Sequence, residues 1–141
     1  MVKVKFSAKR KEKKVLKEII ISITVVISIL LLNWYLQDYT KKSTLEINSQ
    51  LEELKNKLKD KDEKSIEENI KQVKENWSKQ YSILAMFIEH DELEKVETDL
   101  VNIDGYIEIK DYDKGINEVN KSIFSLNHIA EKYDFSLINI F

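Results

Sequence analysis

The chain has 141 residues, 34% of them charged, with a net charge of −2, two glycines, no proline and no cysteine. Such a shortage of turn-formers excludes sandwiches and barrels, and the lack of cysteine excludes disulfides and thiolate metal sites. The small net charge hides a split: between Lys3 and Lys17 eight Lys and Arg stand against Glu12 alone, whereas beyond Leu36 fifteen basic residues face twenty-three acidic ones.

Residues 1–18 form a basic stub. Ile19 to Leu36 follows without a charge, a Gly or a Pro; as a helix it spans roughly 27 Å, close to the hydrocarbon thickness of a bilayer. Ser22, Thr24 and Ser28 are tolerable there because their hydroxyls bond back to carbonyls one turn earlier. The residues after it, Asn33-Trp34-Tyr35-Leu36-Gln37-Asp38-Tyr39, are too bulky for a signal-peptidase site, so the span is expected to be retained. Trp34, Tyr35 and Tyr39 suit the headgroup level. Lysines ahead of the span predict a cytoplasmic N-terminus, a single pass through the cell membrane, and a body, residues 37–141, on the extracytoplasmic side. The acidic body repels nucleic acid, so no nucleic-acid partner is expected.

Four soluble helices are predicted, at about 40–59, 63–88, 91–110 and 113–133. The first carries Ile47, Leu51, Leu54 and Leu58 on one face; with no breaker between it and the span, the two can form one rod. Its narrow, Leu-rich stripe makes homo-oligomerisation an open expectation. Asp62 or Ser65 is expected to cap the second helix, Ser65 with Glu68 in a capping-box pattern. That helix carries Ile66, Ile70, Val73, Trp77, Tyr81 and Leu84, then Phe87 or Ile88. Asp91 with Glu94 is a second capping-box pattern. The third helix has Leu93, Val96, Leu100, Ile103 and Ile107, with Gly105 inside it and Trp77 expected against that glycine. The fourth has Ile116, Val119, Ile123, Leu126, Ala130 and Tyr133. An echo at a shift of 50 residues aligns Lys64, Ile66 and Glu68 with Lys114, Ile116 and Glu118. The fold class expected is all-α: a transmembrane helix, then an antiparallel up-down four-helix bundle of two hairpins. The tail, residues 134–141, is strongly apolar and should dock on the bundle, a partner or the membrane.

Chemistry is sparse. His90 and Glu94 lie one helical turn apart, too few ligands for a metal site; His128 beside the apolar stripe reads as a packing residue. Acidic groups around Glu89 and Asp111 lack the spacing of a calcium loop. No catalytic residues, cofactor or metal are expected, and no enzyme. The informative features are the Trp77–Phe87 run and the Phe135–Phe141 tail, either core or a partner-binding surface.

The run Trp77 … Phe87-Ile88-Glu89-His90-Asp91-Glu92-Leu93, the later Leu100 and Tyr106, and the closing Asn139-Ile140-Phe141 resemble the domain of unknown function 4363 family. The basic stub is longer than that family's usual few residues. The resemblance implies a small membrane-anchored helical protein of Gram-positive, spore-forming bacteria, without assigned activity, whose partners by gene neighbourhood are YetF-like membrane proteins. The expected function is an interaction or accessory subunit, with a surface drawn from Trp77, Phe87, His90, Tyr106, Phe135, Ile138, Asn139, Ile140 and Phe141. The alternative is a ligand- or metal-sensing domain around His90, Asp91 and Glu94.

Overall fold

The computed structural model describes residues 2–134, with side chains from residue 12. These residues are all-α, in four helices: α1 (Val2–Asp60), α2 (Glu63–Leu84), α3 (His90–Glu108) and α4 (Tyr112–Lys132). The chain divides into two units, Met1–Leu36 and Gln37–Phe141, and α1 is helical through the boundary. The absence of any Gly or Pro before Gly105 explains why nothing interrupts it.

In the first unit the hydroxyls of Ser22, Thr24 and Ser28 donate to the carbonyls of Glu18, Ile20 and Thr24 at 2.8–2.9 Å. The large apolar side chains from Val15 to Tyr35 are all exposed. This is a helix long and apolar enough to cross a membrane.

The second unit has one core. Ile47, Leu51, Leu54 and Leu58 of α1 are at most 1% exposed and join Ile66, Ile70, Val73, Trp77 and Leu84 of α2. Leu93, Val96, Leu100 and Ile103 of α3 and Val119, Leu126 and Ile129 of α4 complete it. The Leu-rich stripe of α1 is therefore buried in the unit's own core. Cross-helix hydrogen bonds tie the edges. Gln80 accepts from Tyr39 and Ser43, and Asn76 donates to Glu46 and Gln50. Asn48 donates to Asn127, Asn102 to Glu118, and Ser125 to Asp99.

Several boundaries differ from those predicted. α2 ends at Leu84, not 88, because the backbone tightens: Met86 and Phe87 donate to Ile83 and Leu84, three residues back, and this turn brings Ile88 into the core. α3 starts at His90 and ends at Glu108, and α4 covers Tyr112–Lys132. Asp62, not Ser65, caps α2: its carboxylate accepts from the Ser65 amide and hydroxyl. The Asp91–Glu94 capping box does not form. Glu89 is the N-cap and makes no side-chain cap bond; Glu94 is held instead by His90, 2.9 Å from its Nε2. In α4 the buried line runs Gly115, Val119, Ser122, Leu126 and Ile129, one residue earlier than most of the predicted stripe, leaving Ile116 and Ile123 half-buried at its flank. Gly115 is buried against Leu58, where a Cβ would meet Leu58 Cδ1 at an ordinary contact distance of 3.7 Å. Gly105 has no such neighbour: nothing lies within 4 Å of its Cβ position, so Trp77 does not pack there.

The internal echo is real but its offset is 49. Lys61 and Lys110 both have φ of 56°. Lys61 N donates to Leu58 O and Asp62 N to Lys57 O; Lys110 N donates to Ile107 O and Asp111 N to Tyr106 O. Each is a Schellman ending followed at once by an Asp N-cap, Asp111 accepting from the Lys114 amide as Asp62 does from Ser65.

Candidate interaction surface

The residues singled out by sequence do not form one patch. Trp77 is 4% exposed, and its ring meets Tyr81 edge-on with centroids 5.9 Å apart. It is a core residue and cannot present itself to a partner. From Tyr81 a polar line runs outward: its hydroxyl lies 3.1 Å from His90 Nδ1, and His90 Nε2 is the group that holds Glu94. Phe87 is half-buried against the core at the same end of the unit. Tyr106 lies at the other end, beside Gly115, with Lys114 Nζ 5.6 Å from its ring centre. Phe135, Ile138, Asn139, Ile140 and Phe141 lie outside the described residues.

Among the described residues no group of three His, Cys, Asp or Glu is placed to hold a metal. His90 and Glu94 pair with each other, and Asp91 and Glu94 both line a hollow along α3 and α4. His128, expected in the packing, is exposed. The acids near it are structural. Glu92 is 8% exposed and accepts from Lys132, which also reaches Glu89. Burial pushes the Glu92 carboxyl up, but the Lys132 hydrogen bond and the charges of Lys95, Lys132 and His128 outweigh it and hold the group below its usual range. Asp99 goes the other way: burial, then the Glu118 charge, raises it, and the Ser125 hydrogen bond and Lys121 offset only part.

What sequence reading missed is a groove between α2 and α3 of about 560 Å³. Ile66, Ile70, Ile107 and Tyr112 line it, and Lys71, Glu67, Glu75 and Glu108 edge it. Two ion pairs bridge it, Lys74 with Asp104 and Lys110 with Glu63. The groove opens because the α2 and α3 backbones stand apart, whereas those of α3 and α4 run close together. Bulky Ile66, Ile70 and Trp77 hold α2 out; Gly115 and Ser122 let α4 in. The signal available in the sequence was this contrast in side-chain size.

A family model described as Domain of unknown function (DUF4363) matches residues 34–140. The chain belongs to this family. No curated protein and no solved structure matches. The DUF4363 match begins at Trp34, so it covers the helical unit and leaves the basic stub and most of the span outside it. The groove, the Tyr81–His90–Glu94 line and the Glu92–Lys132 knot all lie within the DUF4363 region.

Proposed function

We propose that this DUF4363 chain is a single-pass membrane protein that displays a helical interaction module. The stub stays in the cytoplasm, residues 19–36 cross the bilayer, and the acidic unit stands on the extracytoplasmic side, the orientation that the lysines ahead of the span favour. The observation that carries this reading is the run from Val15 to Tyr35: its apolar side chains are all exposed, on a helix that continues into a unit whose own core is closed. In water such a surface is unfavourable; in lipid it is matched.

The cross-helix pairs support an antiparallel up-down order for the module. On α1 and α2, residues 43 and 46 meet 80 and 76; on α2 and α3, 63 and 74 meet 110 and 104; on α3 and α4, 92 and 99 meet 132 and 125; on α1 and α4, 48 and 55 meet 127 and 120. In every pair one number rises as the other falls.

The module acts as an accessory subunit for a second membrane or envelope protein, of the YetF-like kind that the resemblance implies. The α2–α3 groove, apolar within and charged at the edge, is the surface offered. A photo-crosslinking residue at Lys71, on the groove edge, should capture a membrane protein in intact cells, while one at exposed Lys79 should not. External protease should remove the acidic unit from whole cells. Protection of that unit overturns the orientation; equal capture from both positions overturns the groove.

A further inference from the structure

The α2–α3 groove does not stop at its first hollow. Lys74 and Ser78 also line a second one, of about 230 Å³, between the same two helices. Together the hollows follow α2 from Glu63 to Ser82, roughly 28 Å of helix. Apolar surface stays open along both. Ile107 is half-buried in the first and Tyr81 in the second, where Val101 is 63% exposed.

The charges along this channel do not balance. Each lysine that lines it has an acid: Lys71 lies 4.0 Å from Glu75, Lys110 lies 2.6 Å from Glu63, and Lys74 pairs with Asp104. Glu67, Glu97 and Glu108 line it too; all three are exposed, and among the described residues they form no ion pair. Glu67 follows Glu63 by one turn and Glu108 lies just before Lys110, so both flank the Lys110–Glu63 bridge. Glu97 stands about 16 Å further along α3. The exposed Lys79 lines neither hollow.

An excess of acid at a groove edge selects what fills it. Beyond Leu36 the chain has fifteen basic residues against twenty-three acidic ones. A second copy therefore brings more of the same sign, and anionic lipid and nucleic acid are repelled as well. A neutral apolar ligand leaves the three acids without a counter-charge. A basic polypeptide supplies one. It is expected as a helix, because an extended chain would press unpaired amides and carbonyls against side chains, whereas a helix bonds its own.

We propose that the α2–α3 groove receives a cationic amphipathic helix of a partner protein. Its apolar face lies over Ile107, Tyr81 and Val101, and it carries Lys or Arg about three turns apart, one for Glu67 and Glu108 and one for Glu97. This rests on the groove being the surface the module offers, and it names the chemistry of what fills it. The probe is a fluorescein-labelled synthetic helix of about 18 residues with a leucine face and lysines about three turns apart; a twin has glutamate in place of lysine. Anisotropy is read with the full chain in phosphatidylcholine nanodiscs, against empty discs. The lysine helix should bind at least about tenfold tighter than its twin in low salt, and the gap should narrow in high salt. Glu67→Lys and Glu97→Lys should each weaken it about fivefold, and reversing Glu67, Glu97 and Glu108 together should make the glutamate twin the tighter ligand. Glu68→Lys makes the same charge change at an exposed site outside the hollows and should do nothing; circular dichroism confirms that each variant is folded. An equal loss at Glu68 means attraction to net charge alone and overturns the groove as the seat. Equal binding of the two helices, or tighter binding of the glutamate twin to the unaltered chain, overturns the cationic occupant. Neither helix binding, while a photo-crosslinker at Lys71 captures a membrane protein, overturns the helix and leaves the groove; neither binding with no capture overturns both. Capture of a second copy of this chain from Lys71 overturns the basic partner.

Discussion

The second unit contains two helix pairs built to one plan and finished differently. At the offset of 49, Leu51, Leu54 and Leu58 of α1 correspond to Leu100, Ile103 and Ile107 of α3, and Ile66, Ile70, Val73 and Trp77 of α2 correspond to Gly115, Val119, Ser122 and Leu126 of α4. All but Ile107 are buried, and Ile107 packs on the core. The turns match down to the φ of 56° at Lys61 and Lys110. The edges do not: the first pair is tied by amides, Asn76 and Gln80, and the second by charges, Glu92, Asp99 and Glu118. Register is thus set by backbone turns and apolar spacing, while the residues between those positions are free to set how closely the helices approach. The large residues fall on α2 and the small ones on α4, and the groove follows from that asymmetry.

The strongest break in the comparison is at Trp77 and Leu126, equivalent core positions held by an aromatic ring and an aliphatic side chain. Leu126→Ala should cost about 3 kcal/mol, an ordinary cavity effect at a fully buried site. Trp77→Ala should cost about 4 kcal/mol and also collapse the groove. Trp77 Nε1 has no hydrogen-bond partner, so Trp77→Phe should cost only about 1 kcal/mol, with no bond to lose. Urea unfolding followed by circular dichroism gives all three; a Trp77→Phe loss as large as the alanine loss would show that the indole nitrogen matters.

Next come two acids of the second pair, buried Glu92 and half-buried Asp99, α3 carboxyls shifted in opposite directions. Glu92 has a folded pKa below its unfolded value, so its contribution is present above the ordinary carboxylate range and is lost as pH falls through the folded value. Asp99 has a raised folded pKa, so its contribution is present at low pH and is lost as pH rises through that value. Asp99→Asn should therefore stabilise the unit at neutral pH and change little in acid. Lys132→Met should destabilise at neutral pH, because Glu92 then loses its hydrogen-bonding cation and keeps only the charges of Lys95 and His128 against its burial. Urea midpoints from about pH 3 to pH 8 check both; identical pH profiles for the two variants would contradict the opposed shifts.

The helices and most core positions were legible because apolar spacing of three and four residues needs no tertiary information: Ile47 to Leu58, Ile66 to Trp77 and Leu93 to Ile103 are buried as their spacing predicts. α4 shifted by one residue because Gly115 carries no hydrophobic signal yet admits Leu58. The end of α2 was illegible because the run through Ile88 keeps helical spacing, and only a three-residue hydrogen-bond pattern reveals the turn. The echo was read at 50 because Lys64 and Lys114 happen to match in type, whereas the structural equivalence follows two turns whose key residues, Lys61 and Lys110, are not glycine. The candidate surface scattered because aromatic content marks core and surface alike: Trp77 went inside, Tyr106 to the far end. The groove depends on which helices stand apart, and no single-helix pattern states that.

The smallest effect tests the shared plan most directly. A left-handed residue at a Schellman ending is normally glycine, because a Cβ there is crowded by the backbone. Both pairs use lysine instead. Lys61→Gly should stabilise by about 1 kcal/mol, since Lys61 forms no ion pair among those described and loses only its strain. Lys110→Gly should gain less, because Lys110 is also paired with Glu63 at 2.6 Å across the groove mouth. The difference between the two substitutions, read from paired denaturation curves, isolates what the groove-bridging pair adds to a turn that is otherwise the same. High salt should narrow it, because both partners of the pair are largely exposed. Equal gains at the two positions in low salt would mean that the bridge adds nothing, and that the two pairs are as alike in energy as they are in backbone.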